Sequence, residues 1–416
     1  MLRHSISARP TQVQRARTIA RWLTSGGAVV IQLLAVACGS SSGTDGGSGS
    51  ATLSGRIEAA GTSATLEGAT ISVGTQQATS DANGHFELTG LAEGAATIRA
   101  ARPGYTATTV MVTLSAGANM HDFTLTVEEV YVSDVNAMYV PAGVGPIRAV
   151  IILLGGPFTK GFVTGDPIAP PGYPTVEQSL QALGVSLRTL AKGSHLALFG
   201  TQTIAMPDLA GSDNGIFATI DSVAALSAHP EMAAAPVLLV GIGDGGQEAA
   251  GLVSRNPDRV IGLLERKPNG VATLTGPVTL AVPTLVVQGE LDQEVNNGPV
   301  LSVFLANRSR GGLWALVVMP GAGHAEDSAP LNTATIDWIS QVLTRRLPTT
   351  SGDPLITLDQ TSGWLGNQAT LEIAPWASYS GDRTTASWLL SQSAATSWQG
   401  LGETPEPPPS TIRVHR

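Results

Sequence analysis

The chain has 416 residues, enough for two or three domains, and a formal net charge of −9. This acidic balance argues against a nucleic-acid partner, because such binding needs basic patches that neutralise phosphates. The single cysteine, Cys38, excludes internal disulfides and a cysteine-based metal site.

The first 37 residues have the three parts of an export signal. Residues 1–21 contain five arginines and no acid, an apolar stretch follows from Gly26 to Ala37, and small residues precede Cys38. The apolar stretch is short for a membrane span. Its ending, Leu34-Ala35-Val36-Ala37-Cys38, resembles a bacterial lipobox. The resemblance implies cleavage after Ala37 and attachment of lipid to Cys38; an uncleaved signal anchor or a chance cysteine is the alternative.

The segment that follows the signal, residues 38–50, is a flexible tether by composition. It is rich in glycine and serine and cannot bury enough apolar surface to order itself. Loss of residues 1–37 removes five arginines and no acid, so the formal charge becomes −14. We therefore expect an exported lipoprotein at the bacterial cell envelope, held on membrane lipid through Cys38.

Residues 51–128 carry the pattern of an antiparallel β-sandwich. Apolar and polar residues alternate strictly over 69–73 and 123–127, which is typical of half-buried strands. The run Asp81-Ala82-Asn83-Gly84 predicts a hairpin turn between two strands. Short strands at this spacing, separated by turns, favour a small sandwich domain.

This segment also contains a set of short runs that are typical of one domain family. They are Ser54-Gly55-Arg56-Ile57, Leu66-Glu67-Gly68-Ala69-Thr70-Ile71, Thr79-Ser80-Asp81-Ala82-Asn83-Gly84-His85-Phe86, Leu91, Gly94 and Gly104-Tyr105. In these residues the segment resembles the carboxypeptidase regulatory-like domain. The resemblance implies a spacer, a stability module or a weak sugar or protein binder without catalytic residues. His85 and His121 lie within the segment, and we interpret them as surface or turn residues rather than metal ligands.

Between residues 129 and 346, apolar strands alternate with helical segments. Residues 176–191 and 217–227 carry apolar side chains at helical spacing. Strands that are apolar throughout are buried on both faces, so the pattern predicts a mostly parallel α/β sheet with helices on both faces. The predicted strands are Arg148–Leu154, His195–Phe199, Val237–Val240, Arg259–Leu264, Pro283–Gly289 and Leu313–Pro320.

The run Gly241-Ile242-Gly243-Asp244-Gly245-Gly246 follows one of these strands and precedes a helix-like segment from Gln247 to Ser254. This is the place and shape of a nucleophile elbow, a sharp turn with the pattern small-x-nucleophile-x-small. Alignment on Gly241 and Gly245 puts Gly243 at the nucleophile position. A glycine there has no atom that can attack a carbonyl.

Two later loops complete a resemblance to the α/β-hydrolase superfamily. Gly289-Glu290-Leu291-Asp292 follows the penultimate strand, and Pro320-Gly321-Ala322-Gly323-His324 follows the last one. The order of elbow, acid and histidine is the order found in these enzymes. The resemblance implies an esterase-like fold and, ancestrally, hydrolysis of carboxylic esters. It implies that Asp292 and His324 are the acid and the base of a triad.

The resemblance also places an oxyanion hole. Gly155 and Gly156 follow an early strand, where backbone N–H groups approach a substrate oxygen closely, and Asp244 follows the nucleophile position. Loss of the nucleophile from such a triad costs about a millionfold in turnover, so we expect an inactive or weakly active domain used for binding. The alternatives are an unusual nucleophile, such as Asp244, or a water activated by His324.

A different interpretation of the same glycines is a nucleotide site. Gly241, Gly243 and Gly246 satisfy the dinucleotide fingerprint G-x-G-x-x-G, and Glu265 ends the next strand, about where a ribose-binding acid would lie. The fingerprint lies in the middle of the predicted sheet, however, and it leaves Asp292 and His324 unexplained. We therefore predict no cofactor and no metal ion.

The last segment, residues 347–416, is a tryptophan-bearing extension. It contains Trp364, Trp376, Trp388 and Trp398, four of the seven tryptophans of the chain. These side chains either pack against the preceding domain or form a platform for sugar rings. The ligands that we expect for the whole chain are a small ester, a sugar or a peptide.

Overall fold

The computed structural model describes residues 50–60, 63–102, 105–127, 129–133, 135–156, 158–164, 174–202, 212–271, 276–324 and 328–403. The described residues form two compact units, one within residues 1–127 and 132–134 and the other within residues 128–131 and 135–416. Cys38 and the predicted export signal lie outside the described residues. In the described part of the chain, no helix is both long enough and apolar enough to cross a membrane.

The first unit consists of two sheets around one apolar core. One sheet has the strand order β4-β1-β9-β6, with β8 beside β1, and the other has the order β3-β2-β5-β7. Ile57, Ile71, Ile98 and Leu125 are fully buried in the shared core. The strands are β1 (Ala51–Ala59), β2 (Thr70–Val73), β3 (Gln76–Thr79), β4 (His85–Leu91), β5 (Gly94–Ala101), β6 (Tyr105–Thr106), β7 (Thr108–Leu114), β8 (Gly117–Met120) and β9 (Phe123–Val127).

The predicted hairpin at Asp81–Gly84 is wrong, although the turn itself forms. The Gly84 N–H donates to the Asp81 carbonyl at 2.9 Å, and Asp81 Oδ1 accepts the N–H of His85 at 2.8 Å. Strands β3 and β4, however, belong to different sheets, so the turn carries the chain from one sheet to the other. Most strand pairs of this unit are antiparallel, but β1 pairs in parallel with β8 and β9.

The second unit is built on a sheet with the strand order β10-β11-β13-β12-β14-β15-β16-β17. All pairs from β13 to β17 are parallel, and β11 is antiparallel to β13. Every residue of β12, β15 and β16 is buried, so both faces of the sheet are covered, as predicted from the continuous apolar runs. The strands are β10 (Val130–Val132), β11 (Asn136–Tyr139), β12 (Ala149–Gly155), β13 (Leu196–Gln202), β14 (Val237–Ile242), β15 (Val260–Arg266), β16 (Thr284–Gly289) and β17 (Trp314–Met319).

The helices follow the strands in alternation, and they extend beyond the predicted segments. The helix predicted over 176–191 spans Pro174–Ser194, because proline fits the first turn and the polar first turn carries no apolar periodicity. The helices are α1 (Phe158–Thr164), α2 (Pro174–Ser194), α3 (Ser212–Leu226), α4 (Gly245–Arg255), α5 (Pro277–Leu280), α6 (Asn297–Ser309), α7 (Ala329–Arg346) and α8 (Gln392–Gly402).

The tryptophan-bearing extension packs against β17, the last strand of the large sheet. It forms a three-stranded sheet of order β19-β18-β20, from β18 (Trp364–Gly366), β19 (Ile373–Pro375) and β20 (Ser387–Leu389), and then α8. The Leu316 N–H donates to Ser387 Oγ at 2.9 Å, and the Leu316 carbonyl accepts Trp398 Nε1 at 2.7 Å. Side chains of the extension therefore make hydrogen bonds to backbone groups that an uncovered sheet edge would leave exposed.

The four tryptophans of the extension divide into two pairs. Trp388 and Trp398 are each only 2 % exposed and belong to the core of the second unit. Trp364 and Trp376 are half-buried and pack against that core. The Arg383 guanidinium lies 5.5 Å from the centre of the Trp376 ring. Packing therefore accounts for Trp388 and Trp398, which offer no face to a sugar.

Candidate functional site

A tight turn joins the end of β14 to the start of α4. Gly243 has a φ of +55°, the left-handed region that favours glycine. Its N–H donates to the Arg266 carbonyl at 3.1 Å, and its own carbonyl accepts the N–H groups of Gly246 and Asn269, each at 3.1 Å. The loop after β15 thus fixes the turn on one side, and the turn has the strand-to-helix geometry of a nucleophile elbow.

The small residues around the turn are required by close backbone packing. A Cβ atom on Gly245 would lie 2.1 Å from the Leu154 carbonyl oxygen, and one on Gly241 would lie 2.7 Å from Cα of Gly246. A Cβ atom on Gly155 would lie 2.8 Å from the Ile242 carbonyl oxygen. The end of β12, with Gly155, is therefore pressed against the elbow, and no larger residue fits at these positions without a backbone shift.

Asp292 and His324 form a hydrogen-bonded pair at the ends of neighbouring strands. His324 Nδ1 lies 2.9 Å from Asp292 Oδ2. Asp292 Oδ1 accepts the backbone N–H groups of Glu294 and Val295, each at 3.0 Å. The Asp292 side chain is fully buried and that of His324 is 20 % exposed. A carboxylate held this way keeps the proton of the imidazole on Nδ1 and leaves Nε2 as a base.

Nε2 of His324 is the ring nitrogen nearest to the elbow. A Cβ atom on Gly243 would lie 3.6 Å from this nitrogen, and beyond its neighbours in the chain no other described residue would come within 4 Å of it. A serine Oγ is one bond further out, so a serine at this position could hydrogen-bond the imidazole. The structure thus brings together Gly243, Asp292 and His324, in the relation that a nucleophile, acid and base require.

The three predicted oxyanion residues lie around the same turn. Gly155 is buried against Ile242, and Gly156 is half-exposed at the end of β12. Asp244 is the N-cap residue of α4, and its side chain makes no capping hydrogen bond. Backbone N–H groups in the first turn of a helix lack intrahelical acceptors and favour negative charge. The role of these three residues as oxyanion donors stays a prediction.

Two further residues touch the site, and the sequence analysis did not single them out. Glu294 Oε2 lies 3.7 Å from His324 Nε2, on a side chain that is 69 % exposed. Asn269 donates from Nδ2 to Asp244 Oδ1 and from its backbone to Gly243. Glu294 could have been suspected, because it lies two residues after Asp292 in the same loop. Asn269 carries no such signal, since it is 25 residues away from Asp244 in the chain.

Glu265, the acid of the nucleotide interpretation, lies inside the protein. It sits beside Gly241 in the β14–β15 register and has no exposed surface. Neither carboxylate oxygen has a hydrogen-bond partner among the described residues. Burial raises the pKa of the Glu265 carboxyl well above its usual range. A side chain with no exposed surface cannot bind a ribose, so Glu265 does not support a dinucleotide site.

Glu265→Gln is expected to stabilise the second unit at neutral pH. Between the pKa of the unfolded chain and the raised pKa of the folded state, Glu265 is neutral in the folded protein and ionised in the unfolded chain. The stability that the neutral side chain provides is complete below the unfolded pKa and is lost as pH rises through the folded pKa. The increase in the free energy of unfolding that glutamine brings should therefore be larger at pH 8 than at lower pH, and it should vanish near pH 4. At high pH it should amount to about 1.4 kcal/mol for each unit by which the pKa is raised.

Urea unfolding followed by tryptophan fluorescence measures this gain, because Trp314, Trp338 and the four extension tryptophans all lie in the second unit. Glu372→Gln is the matched control, since Glu372 is exposed in the same unit. A gain that is equal at pH 4 and pH 8 would contradict the neutral state of Glu265.

No group of three or more His, Cys, Asp or Glu side chains in the described part of the chain is placed to hold a metal ion. His121 packs edge-on against the Phe123 ring, with 4.8 Å between ring centres. His85 is exposed. His85 is thus a surface residue, as expected, whereas His121 packs against a neighbouring aromatic ring.

Comparison with known proteins gives one family match. Residues 52–126 match the model of the carboxypeptidase regulatory-like domain, which confirms the resemblance over that segment. No curated protein matches the chain in sequence.

Several solved structures are similar to parts of the chain. The minor pilin GBS52 of Streptococcus agalactiae is 13% identical, with 20% of this chain and 46% of the pilin covered and a TM-score of 0.18. Esterase PE8 is 17% identical, with 50% of this chain and 97% of the esterase covered and a TM-score of 0.33. A predicted CIB-like hydrolase of Thermoplasma acidophilum is 14% identical, with 49% and 90% covered and a TM-score of 0.32. The chain thus spans less than half the length of the pilin.

The fold of the second unit is identified by its topology. Its parallel strands, its strand-to-helix elbow after β14, and the acid and histidine after β16 and β17 follow the chain order of α/β-hydrolases. The chain therefore carries a carboxypeptidase regulatory-like domain at residues 52–126, followed by an α/β-hydrolase-like domain.

Proposed function

We propose that the second unit is an α/β-hydrolase-type domain that has lost its elbow nucleophile and now binds a ligand in the old site. The ligand class is a small carboxylic ester, a sugar or a peptide. The observation that supports the proposal is the position of Gly243, whose missing Cβ would lie 3.6 Å from Nε2 of an Asp292-paired histidine. A base is thus retained where the group that it would activate is absent.

On their own, the remaining groups of the chain favour ligand binding over hydrolysis. His324 can accept and return a proton, and the N-terminus of α4 can stabilise a developing oxyanion. Without a nucleophile, oxyanion and binding effects alone leave roughly a thousandfold acceleration over water, about a millionfold less than a complete triad in turnover. Asp244 is a poor substitute nucleophile, because it lies one residue after the nucleophile position of the elbow, at the N-cap of α4.

The direct test is restoration of the missing group. Gly243→Ser is compared with Gly243→Ala for hydrolysis of p-nitrophenyl acetate, a small activated ester. Activity in the serine variant alone supports the proposal. A folded serine variant without activity would remove its basis.

We also propose that the chain is an exported lipoprotein, with the first unit acting as a spacer. The basic start, the apolar stretch and the lipobox-like ending before Cys38 support this. Cys38→Ser is expected to abolish lipid attachment, so that the protein leaves the detergent phase of a Triton X-114 partition. Metabolic labelling with a radioactive fatty acid in a lipid-modifying bacterial host measures the same loss. Ser42→Ala is the control, and a Cys38→Ser protein that stays lipid-labelled would contradict the proposal.

A further inference from the structure

The described residues leave a space beside Gly243 that a group from outside the chain can enter. A Cβ atom built there meets Nε2 of His324 at 3.6 Å and, apart from its neighbours in the chain, no other atom of the described residues within 4 Å. A hydroxyl oxygen near that position would lie within or close to hydrogen-bond distance of the same nitrogen. The residue itself cannot fill the space, since its backbone is fixed by bonds to Arg266, Gly246 and Asn269.

The base that faces this space, His324, is held in place by hydrogen bonds through Asp292. Asp292 accepts three hydrogen bonds, from His324 Nδ1 and from two backbone N–H groups of its own loop, so the ring is held in one orientation. A base oriented in this way activates a hydroxyl or thiol whether or not that group is covalently part of the protein. A serine side chain would have provided a high local concentration of hydroxyl beside His324. A small alcohol bound at the same place can provide part of that concentration.

We propose that the site takes its nucleophile from outside the chain, as a small alcohol, and transfers an acyl group to it from a bound ester; this rests on the proposed function. The alcohol O–H proton moves to His324 Nε2 while the oxygen forms a bond to the acyl carbon. The C–O bond to the leaving group breaks, and the leaving oxygen takes the proton from His324. The products are a new ester and a free alcohol, and nothing is oxidised or reduced.

Glu294 gives this acceptor site a charge preference. Its carboxylate lies 3.7 Å from His324 Nε2, the nitrogen to which the alcohol O–H must donate. A negative charge at that distance attracts a cationic alcohol and repels an anionic one, most strongly at low ionic strength because the side chain is exposed. The order of acceptors is therefore choline, then ethanol, then glycolate.

The test uses the full chain with p-nitrophenyl acetate and each of the three alcohols in a concentration series. The readouts are p-nitrophenol release and the acetylated alcohol, measured by mass spectrometry. We expect saturable formation of the acetylated alcohol at about tenfold or more above the His324→Ala variant, and a several-fold preference for choline over glycolate that Glu294→Gln removes. Equal formation with His324→Ala, or a rate that rises linearly without saturation, would overturn the proposal.

A second variant tests the space itself. Gly243→Ala puts a methyl group where the alcohol would bind, so saturation should be lost while the His324–Asp292 pair is intact. Tryptophan fluorescence checks that this variant is folded; if it is not, His324→Ala decides the outcome alone. An active Gly243→Ser variant beside a parent chain without acyl transfer rejects this inference and keeps the proposed function. An inactive, folded Gly243→Ser variant rejects the proposed function, and the inference that rests on it falls with it.

Discussion

A Gly243→Ser variant is expected to hydrolyse p-nitrophenyl acetate about a thousandfold faster than the parent chain, or more. A serine nucleophile accounts for about a millionfold of turnover in a complete triad, and an unevolved pocket should recover part of it. The base is already in place, because the Cβ position of residue 243 lies 3.6 Å from His324 Nε2. The left-handed backbone at residue 243 costs a side chain roughly 1–3 kcal/mol, which a folded domain can tolerate.

Two control variants and a covalent probe separate this restored triad from nonspecific esterolysis. Gly243→Ala carries the same backbone strain without a nucleophile and should stay at the parent rate. His324→Ala in the serine background should lose the gain. A fluorophosphonate probe should label the serine variant and neither control. Labelling that persists without His324, or a gain shared by the alanine variant, would mean that residue 243 is not the elbow position.

Gly245→Ala is expected to destabilise the second unit by about 3 kcal/mol or more, which is at the upper end for overpacked sites. The added Cβ would lie 2.1 Å from the Leu154 carbonyl oxygen and 2.6 Å from the Gly155 N. Both atoms belong to the backbone of β12, so no side-chain rotation relieves the overlap. Urea unfolding followed by tryptophan fluorescence measures the loss, since the first unit contains no tryptophan among residues 51–127.

Gly251→Ala on the same helix is the matched control. Its Cβ would approach only the end of the Arg255 side chain, at 2.8 Å, and that side chain can move. An alanine inside a helix is preferred over glycine by up to about 1 kcal/mol, so this variant should be as stable as the parent or more stable. Similar stability of the two variants would show that β12 is not packed against the elbow as closely as these distances require.

The sequence predicted the layout of the second unit because its signals are local. Continuous apolar runs predict the strands, and the glycine pattern after Val240 predicts the turn. The pairing of Asp292 with His324 was expected from their order along the chain. Their distance of 2.9 Å agrees with that expectation, because the ends of neighbouring parallel strands lie at one edge of a sheet.

The contacts that the sequence did not predict are those made between distant segments. The turn at Asp81–Gly84 has the residues of a hairpin, but partner choice by β3 and β4 depends on the whole sandwich. Nothing near Asn269 indicates that it holds Gly243 and Asp244. The tryptophans of the extension could have served packing or sugar binding, and only their burial against β17 decides for Trp388 and Trp398.

The C-terminal extension has a consequence for how the large sheet can associate. The Leu316 N–H of β17 donates to Ser387 Oγ, and the Leu316 carbonyl accepts hydrogen bonds from the side chains of Trp398, Gln368 and Ser387. A second molecule cannot add a strand at that residue without displacing the protein's own tail. Proteolysis near residue 347 would uncover a long apolar strand, Trp314–Met319, and turn a self-limited fold into a template for intermolecular strand addition. The C-terminal extension thus prevents strands of other molecules from pairing with β17.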